Sequence, residues 1–216
     1  MIFLDRASAG KILGEYLKDK IDRSLNPIVL GIPKGGVIVA KEVAKILNVP
    51  MSLLIVRKLG VPQNPELAFG AVDKDGEVYI DKKTVDYFRL SEDQIRKVVQ
   101  EERKKIRERE KIFLKGSMPD LSNREVIIVD DGIATGYTVI AGVNFVKRRG
   151  AQKVIVASPV CPADTLKRIK EHADEVFCYY VSHEPNFAVG MFYRDFHQVE
   201  DQEVLELLQD ISPQDA

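Results

Sequence analysis

Val126-Ile-Ile-Val-Asp-Asp-Gly-Ile-Ala-Thr-Gly-Tyr-Thr138 decides how this chain is read. Val126 to Val129 are β-branched without alternation, the pattern of a strand buried on both faces of a parallel sheet. Asp130 and Asp131 close that strand, at the carboxyl end where open α/β sheets receive ligands. Two acids there accept hydrogen bonds from ribose hydroxyls, attract a divalent cation, and stabilise positive charge developing at a nearby sugar carbon. Gly132 and Gly136 permit a tight turn close to a phosphate. Thr135 and Thr138 add hydroxyl donors, and the helix that follows offers unpaired N–H groups. The segment Gly132, Ile133, Ala134, Thr135, Gly136, Tyr137, Thr138 is thus a candidate phosphate-monoester loop. It is not a Walker loop, because the Gly-Lys-Ser/Thr ending is missing.

Outward from this stretch, apolar runs alternate with helical patterns. Ile12, Leu13, Tyr16, Leu17 and Ile21 predict an opening amphipathic helix that Asn26-Pro27 ends. Strands are predicted at Pro27 to Gly31, Met51 to Val56, Lys153 to Ser158 and Val176 to Val181, with a helix over Val37 to Leu47. This alternation predicts an α/β fold, a parallel sheet with helices on both faces. Phe69 to Asp81 reads as a hairpin turning at Asp75-Gly76. Ser91 to Lys115 reads as a strongly charged helix, laced with i,i+4 pairs and mostly facing solvent, with Ile95, Val98, Val99 and Ile106 as its buried side. A subunit contact or a wall over the site is the alternative for that helix.

With 216 residues, 45% hydrophobic and 30% charged, the chain supports one core and a small cap. The expected organisation is a single domain over 1–216, with the hairpin and charged helix inserted at about 69–118 and a cap at about 182–216. A net charge of −1 gives no global pull toward nucleic acid or anionic membrane. No apolar stretch is long enough to span a bilayer and Met1 to Lys20 lacks a signal-peptide layout, so a cytoplasmic location is expected. Cys161 and Cys178 lack a Cys-x-x-Cys spacing and are expected as reduced, buried thiols. His172, His183 and His197 have no metal-ligand spacing.

The stretch from Val126 to Thr138 resembles the signature of the type I phosphoribosyltransferases: a hydrophobic strand, two acids, and a loop of the form Ile-x-Thr-Gly-x-Thr. Gly132 departs from it, standing where that family usually carries an aliphatic residue. The resemblance implies binding of 5-phosphoribosyl 1-pyrophosphate (PRPP) with Mg²⁺ as cofactor, Asp130 and Asp131 as catalytic residues that reach the metal through water, and a nitrogen base as second substrate. Gly31-Ile-Pro-Lys-Gly-Gly36 offers N–H donors and one positive charge to a diphosphate. By resemblance it is the pyrophosphate loop, giving that role to Pro33, Lys34, Gly35 and Gly36, with a non-proline cis peptide at or beside Lys34. Arg57 and Lys58 are read as ending the second core strand, where they would neutralise the departing pyrophosphate as catalytic residues. Gly60 to Leu67 follows as a flexible lid, with Glu66 either a general base or simply solvated.

Asn186 to Phe196 resembles the base-binding segment of the hypoxanthine-guanine branch, with Phe187 at the stacking position and Val189 beside it. Ala134, however, occupies the place of that branch's proton-exchanging aspartate. This predicts feeble turnover of hypoxanthine and guanine. The leading expectation is a phosphoribosyltransferase; a PRPP-sensing regulator of the same fold, binding nucleic acid or a protein partner, is the alternative. A homodimer is left open.

Overall fold

The computed structural model describes residues 2–115 and 117–211. Helix α1 (Arg6–Leu17) leads through a short turn to β1 (Ile28–Gly31), α2 (Gly35–Leu47) and β2 (Met51–Leu53). Three antiparallel strands follow, β3 (Arg57–Val61), β4 (Asn64–Val72) and β5 (Val78–Ile80), then α3 (Lys82–Phe88) and α4 (Glu92–Phe113). The chain returns to the main sheet with β6 (Glu125–Val129), α5 (Tyr137–Arg148), β7 (Lys153–Pro162), α6 (Ala163–Lys170) and β8 (Glu175–Ser182), and ends the described part with α7 (Asp201–Gln209).

The main sheet is five-stranded and parallel in the order β2-β1-β6-β7-β8. Val126 to Val129 sit in its centre with no solvent exposure. Alternate residues serve opposite faces: Val29, Ile127 and Ile155 join the core beneath α1 and α2, whereas Ile28, Leu30, Ile128 and Val156 join the one beneath α5. Double-sided burial is why these strands read as unbroken apolar runs.

Register places the site. Gly31 lies opposite Val129, so the turn after β1 begins beside Asp130. Val129 lies opposite Ala157, but β7 continues to Pro162, paired with Ser182 of β8. From Ala157 to Pro162 the chain climbs roughly 16 Å, so β7 and β8 rise past the acid pair as a wall.

Several expectations are corrected. The opening helix ends at Leu17, before Ile21; Asp22 then caps a short turn, and left-handed Asn26 leads into β1. The second core strand stops at Leu53. Arg57 and Lys58 therefore begin β3 of the small sheet instead of ending a core strand. Gly60 to Leu67 is not an irregular stretch but the tip of a hairpin: Val61 pairs with Asn64 across a two-residue turn at Pro62-Gln63, and register shifts around Gly60 accommodate the sequence. The 69–81 hairpin does form, with Gly76 at φ +89° in its turn. Residues 212–216 of the expected cap lie outside the described residues.

The cap draws on both ends of the chain. Phe3 bridges Tyr193, its N–H donating to the Phe192 carbonyl and its own carbonyl accepting from Arg194. Phe3, Ala9, Val160, Phe192 and Tyr193 form a separate small core over the sheet.

Candidate functional site

Asp130 and Asp131 stand at the end of β6, half-buried, facing the turn after β1. The approach is close. A Cβ on Gly35 would fall 2.1 Å from Asp131 Oδ2, and one on Gly36 would fall 2.8 Å from Asp130 Oδ1. Only glycine admits this apposition. The Pro33-Lys34 peptide is cis, at the expected place.

Arg6, the first residue of α1, supplies the acids with a counter-charge. Its Nε donates to Asp131 Oδ2 at 2.7 Å, its other arm donates to the His197 carbonyl at 2.8 Å, and the guanidinium lies 4.0 Å from the centre of the Phe196 ring. Arg6 is only 7% exposed and Asp131 14%. A capping box aims it: the Asp5 side chain accepts from Ser8 N–H and the Ser8 hydroxyl from Asp5 N–H. The Tyr193 hydroxyl donates to the Asp131 carbonyl. Burial, and then the neighbouring charge of Asp131, raise the Asp130 carboxyl well above the usual range. The pair thus resists carrying two negative charges against one arginine.

The loop after the acids is buttressed from α6. Thr165 Oγ1 donates to the Ala134 carbonyl at 2.5 Å and Arg168 donates to that of Thr135 at 2.6 Å, leaving the Gly136 to Thr138 turn to open α5. Arg168 also lies over the Tyr137 ring, whose hydroxyl donates to Asp81 at 3.0 Å. Gly136 adopts φ +84°. The space left by Gly132 is filled by Val189, whose Cγ1 lies 2.3 Å from where a Cβ would stand.

Two of the three cations expected to meet pyrophosphate already have acid partners. Lys34 bridges Asp201 of α7 at 3.0 Å, and Arg57 bridges Glu102 of α4 at 2.7 Å. Arg109 of α4 stands among Arg57, Asp201 and Glu102, held below its ordinary pKa by burial and then by Arg57. Lys58 and Glu66 are exposed.

Phe187 packs in the cap, stacked on Phe192 with ring centres 5.3 Å apart. It also lines a cavity of about 490 Å³ bounded by Ala134 and Thr135, the top of β7 and the segment after β8. An apolar groove of about 560 Å³ between β2, the end of α4 and α7 lies apart from these residues. No three His, Cys, Asp or Glu side chains cluster to hold a metal among the described residues. Cys161 is buried, Cys178 partly so, and both are free thiols.

Residues 4–194 match the family model described as the phosphoribosyl transferase domain. The chain belongs to that family. A Mycobacterium tuberculosis protein, provisionally named a phosphoribosyl transferase, is 40% identical over 208 residues, 96% of this chain but 46% of its own length. The chain thus spans about half of that curated relative. A crystal structure from Thermus thermophilus superposes with a TM-score of 0.79 at 35% identity, covering 98% of this chain and 100% of the other. A uracil phosphoribosyltransferase of Ligilactobacillus salivarius is 39% identical over 66 residues, 30% of this chain and 32% of its own.

Within this phosphoribosyl transferase domain, the structure brings the acids, the loop to Thr138 and the Pro33 to Gly36 turn together. Lys58 stands exposed at the start of the small sheet, next to Arg57. Sequence reasoning missed Arg6, Arg109, Thr165, Arg168 and Tyr193. A signal existed for Arg6, because Asp5-x-x-Ser8 announces a helix start. It existed also for Arg109, which interrupts the apolar stripe of α4. No helix is long and apolar enough to cross a membrane among the described residues.

Proposed function

We propose that this domain transfers the 5-phosphoribosyl group of PRPP to a nitrogen acceptor, probed first as a nucleobase, with release of pyrophosphate. The observation that carries the reading is the apposition of two loops. The glycine turn after β1 touches the acid pair after β6, and the start of α5 lies immediately beyond. Ribose hydroxyls would meet Asp130 and Asp131, the 5-phosphate the Gly132 to Thr138 loop, and pyrophosphate the Pro33 to Gly36 turn with Lys34, Arg57 and Arg109 around it.

In the reaction the bond from the anomeric carbon to the pyrophosphate oxygen breaks, its electron pair leaving with the oxygen. A bond from the acceptor nitrogen forms, and that nitrogen's proton passes to water or to the departing pyrophosphate. Positive charge on the sugar carbon faces the acid pair, so the protein contributes positioning and charge stabilisation. Magnesium suits this site. A half-buried acid pair with one arginine has capacity for a cation, and magnesium is ordinarily bound by one or two carboxylates plus substrate phosphates. Asp130 and Asp131 would hold it through water, and it would neutralise charge on the leaving diphosphate.

Calorimetry with PRPP and Mg²⁺ tests the reading. Binding is expected to weaken by about 2 kcal/mol in Asp131→Asn, the scale of a charged hydrogen bond. Unchanged affinity would sink the assignment. Pyrophosphate release with a nucleobase panel separates an enzyme from a regulator that only senses PRPP.

A further inference from the structure

If the proposed transfer holds, the cavity beside Ala134 and Thr135 is the space open to the acceptor. It borders Ala134 and Thr135, in the middle of the loop, and none of Gly136 to Thr138, so the turn that opens α5 is left to the 5-phosphate. Phe187, Pro162 and Pro185 give it apolar walls, fit for a flat ring. Its charged lining is acidic, Asp164 from the start of α6 and Glu184 from the segment after β8, with His183 and the buried Ser182 beside them. Among the described residues no lysine or arginine lines it. The cations nearest on α6 are turned to other work. Lys167 stands 3.9 Å from Asp164 and is mostly solvated, and Arg168 is bound to the Thr135 carbonyl.

Ionised carboxylates only accept hydrogen bonds, and they repel anions. We infer that the acceptor is an uncharged or cationic heterocycle that presents N–H donors to Asp164 and Glu184, and that these two side chains select against carboxylated acceptors. Both are exposed, so each acts through solvent and contributes up to about a fivefold discrimination.

The test measures binding to the intact chain saturated with ribose 5-phosphate, which has no leaving group and allows no transfer. The probes are uracil, cytosine, adenine and nicotinamide, against the carboxylated partners orotate and nicotinate. Uracil is expected to bind about tenfold or more tighter than orotate, or nicotinamide than nicotinate. The Asp164→Lys/Glu184→Lys double variant is expected to abolish or invert that preference. Equal or tighter binding of the carboxylated partner, binding of no uncharged probe, or an unchanged preference in a variant that still binds ribose 5-phosphate overturns the inference. Failure of ribose 5-phosphate itself to bind the unaltered chain would instead remove the transfer reaction on which it rests.

Discussion

Arg6 places a positive charge 2.7 Å from Asp131 in a setting where both side chains are largely withdrawn from solvent. Removing one partner of such a pair leaves the other uncompensated, which costs about 3–5 kcal/mol when burial is complete. Residual exposure of Asp131 puts the expectation for Arg6→Met at the lower end, a loss of about 3 kcal/mol in urea unfolding. Replacing both charges, Arg6→Met with Asp131→Asn, should recover more than half of it, because no lone charge then remains. Simple additivity of the two losses would show that Arg6 acts only through its packing on Phe196. The partner was not legible from spacing, since 125 residues separate the two. What local sequence shows is the capping box at Asp5 and Ser8, and hence where Arg6 falls on its helix.

Helix α4 shows where periodicity misleads. Eleven residues from Glu101 to Lys111 with a single apolar position describe a solvated helix, and most of its surface is one. Yet Ile95, Val99, Glu102, Ile106, Arg109 and Phe113 fall three or four apart, on one stripe. Ile106 and Phe113 are buried there, and Glu102 and Arg109 interrupt the stripe beside Arg57. A charge in an apolar stripe was the available signal, outweighed by the many charges around it. Similarly, Gly60, Pro62 and Pro65 disguised β3 and β4 as a loop, because turn residues at a two-residue connection look like an irregular stretch. The apolar runs of the main sheet were legible because burial on both faces removes alternation. From the other end of the chain, Asp201 at the start of α7 holds Lys34 while half exposed itself. Such a bridge is weak, so a diphosphate should displace it. Asp201→Asn is therefore expected to tighten PRPP binding about two- to fivefold and leave ribose 5-phosphate binding unchanged. Titration calorimetry with both ligands decides it, and equal effects on the two would show that α7 does not guard the pyrophosphate turn.

The molecule closes by laying a cap made from both termini over the top of its sheet, and Val189 is where cap and loop interlock. Phe187 had a recognisable place in the sequence, but Phe3 and Val160 did not announce themselves as its neighbours, because pairing of the first residues with the last segment is a tertiary event. The departure at Gly132, legible as a missing aliphatic side chain, has its physical counterpart here. The valine methyls occupy the volume that side chain would need, 2.3 and 2.8 Å from an added Cβ. Those distances lie inside van der Waals contact, so Gly132→Val must push the cap away from the loop, an overpacking that costs about 1–3 kcal/mol. For a chain of this size that corresponds to a fall in melting temperature of roughly 2–12 °C. Shortening the opposing residue should relieve it. In Gly132→Val/Val189→Ala the side chain returns from the loop instead of the cap, and most of the lost melting temperature should return with it, whereas Val189→Ala alone opens a void and destabilises. Thermal unfolding of the three variants completes the cycle. If the double variant is as unstable as the sum of the singles, Val189 does not stand in for the missing side chain and the cap is seated by its contacts with Phe3 and Tyr193 alone.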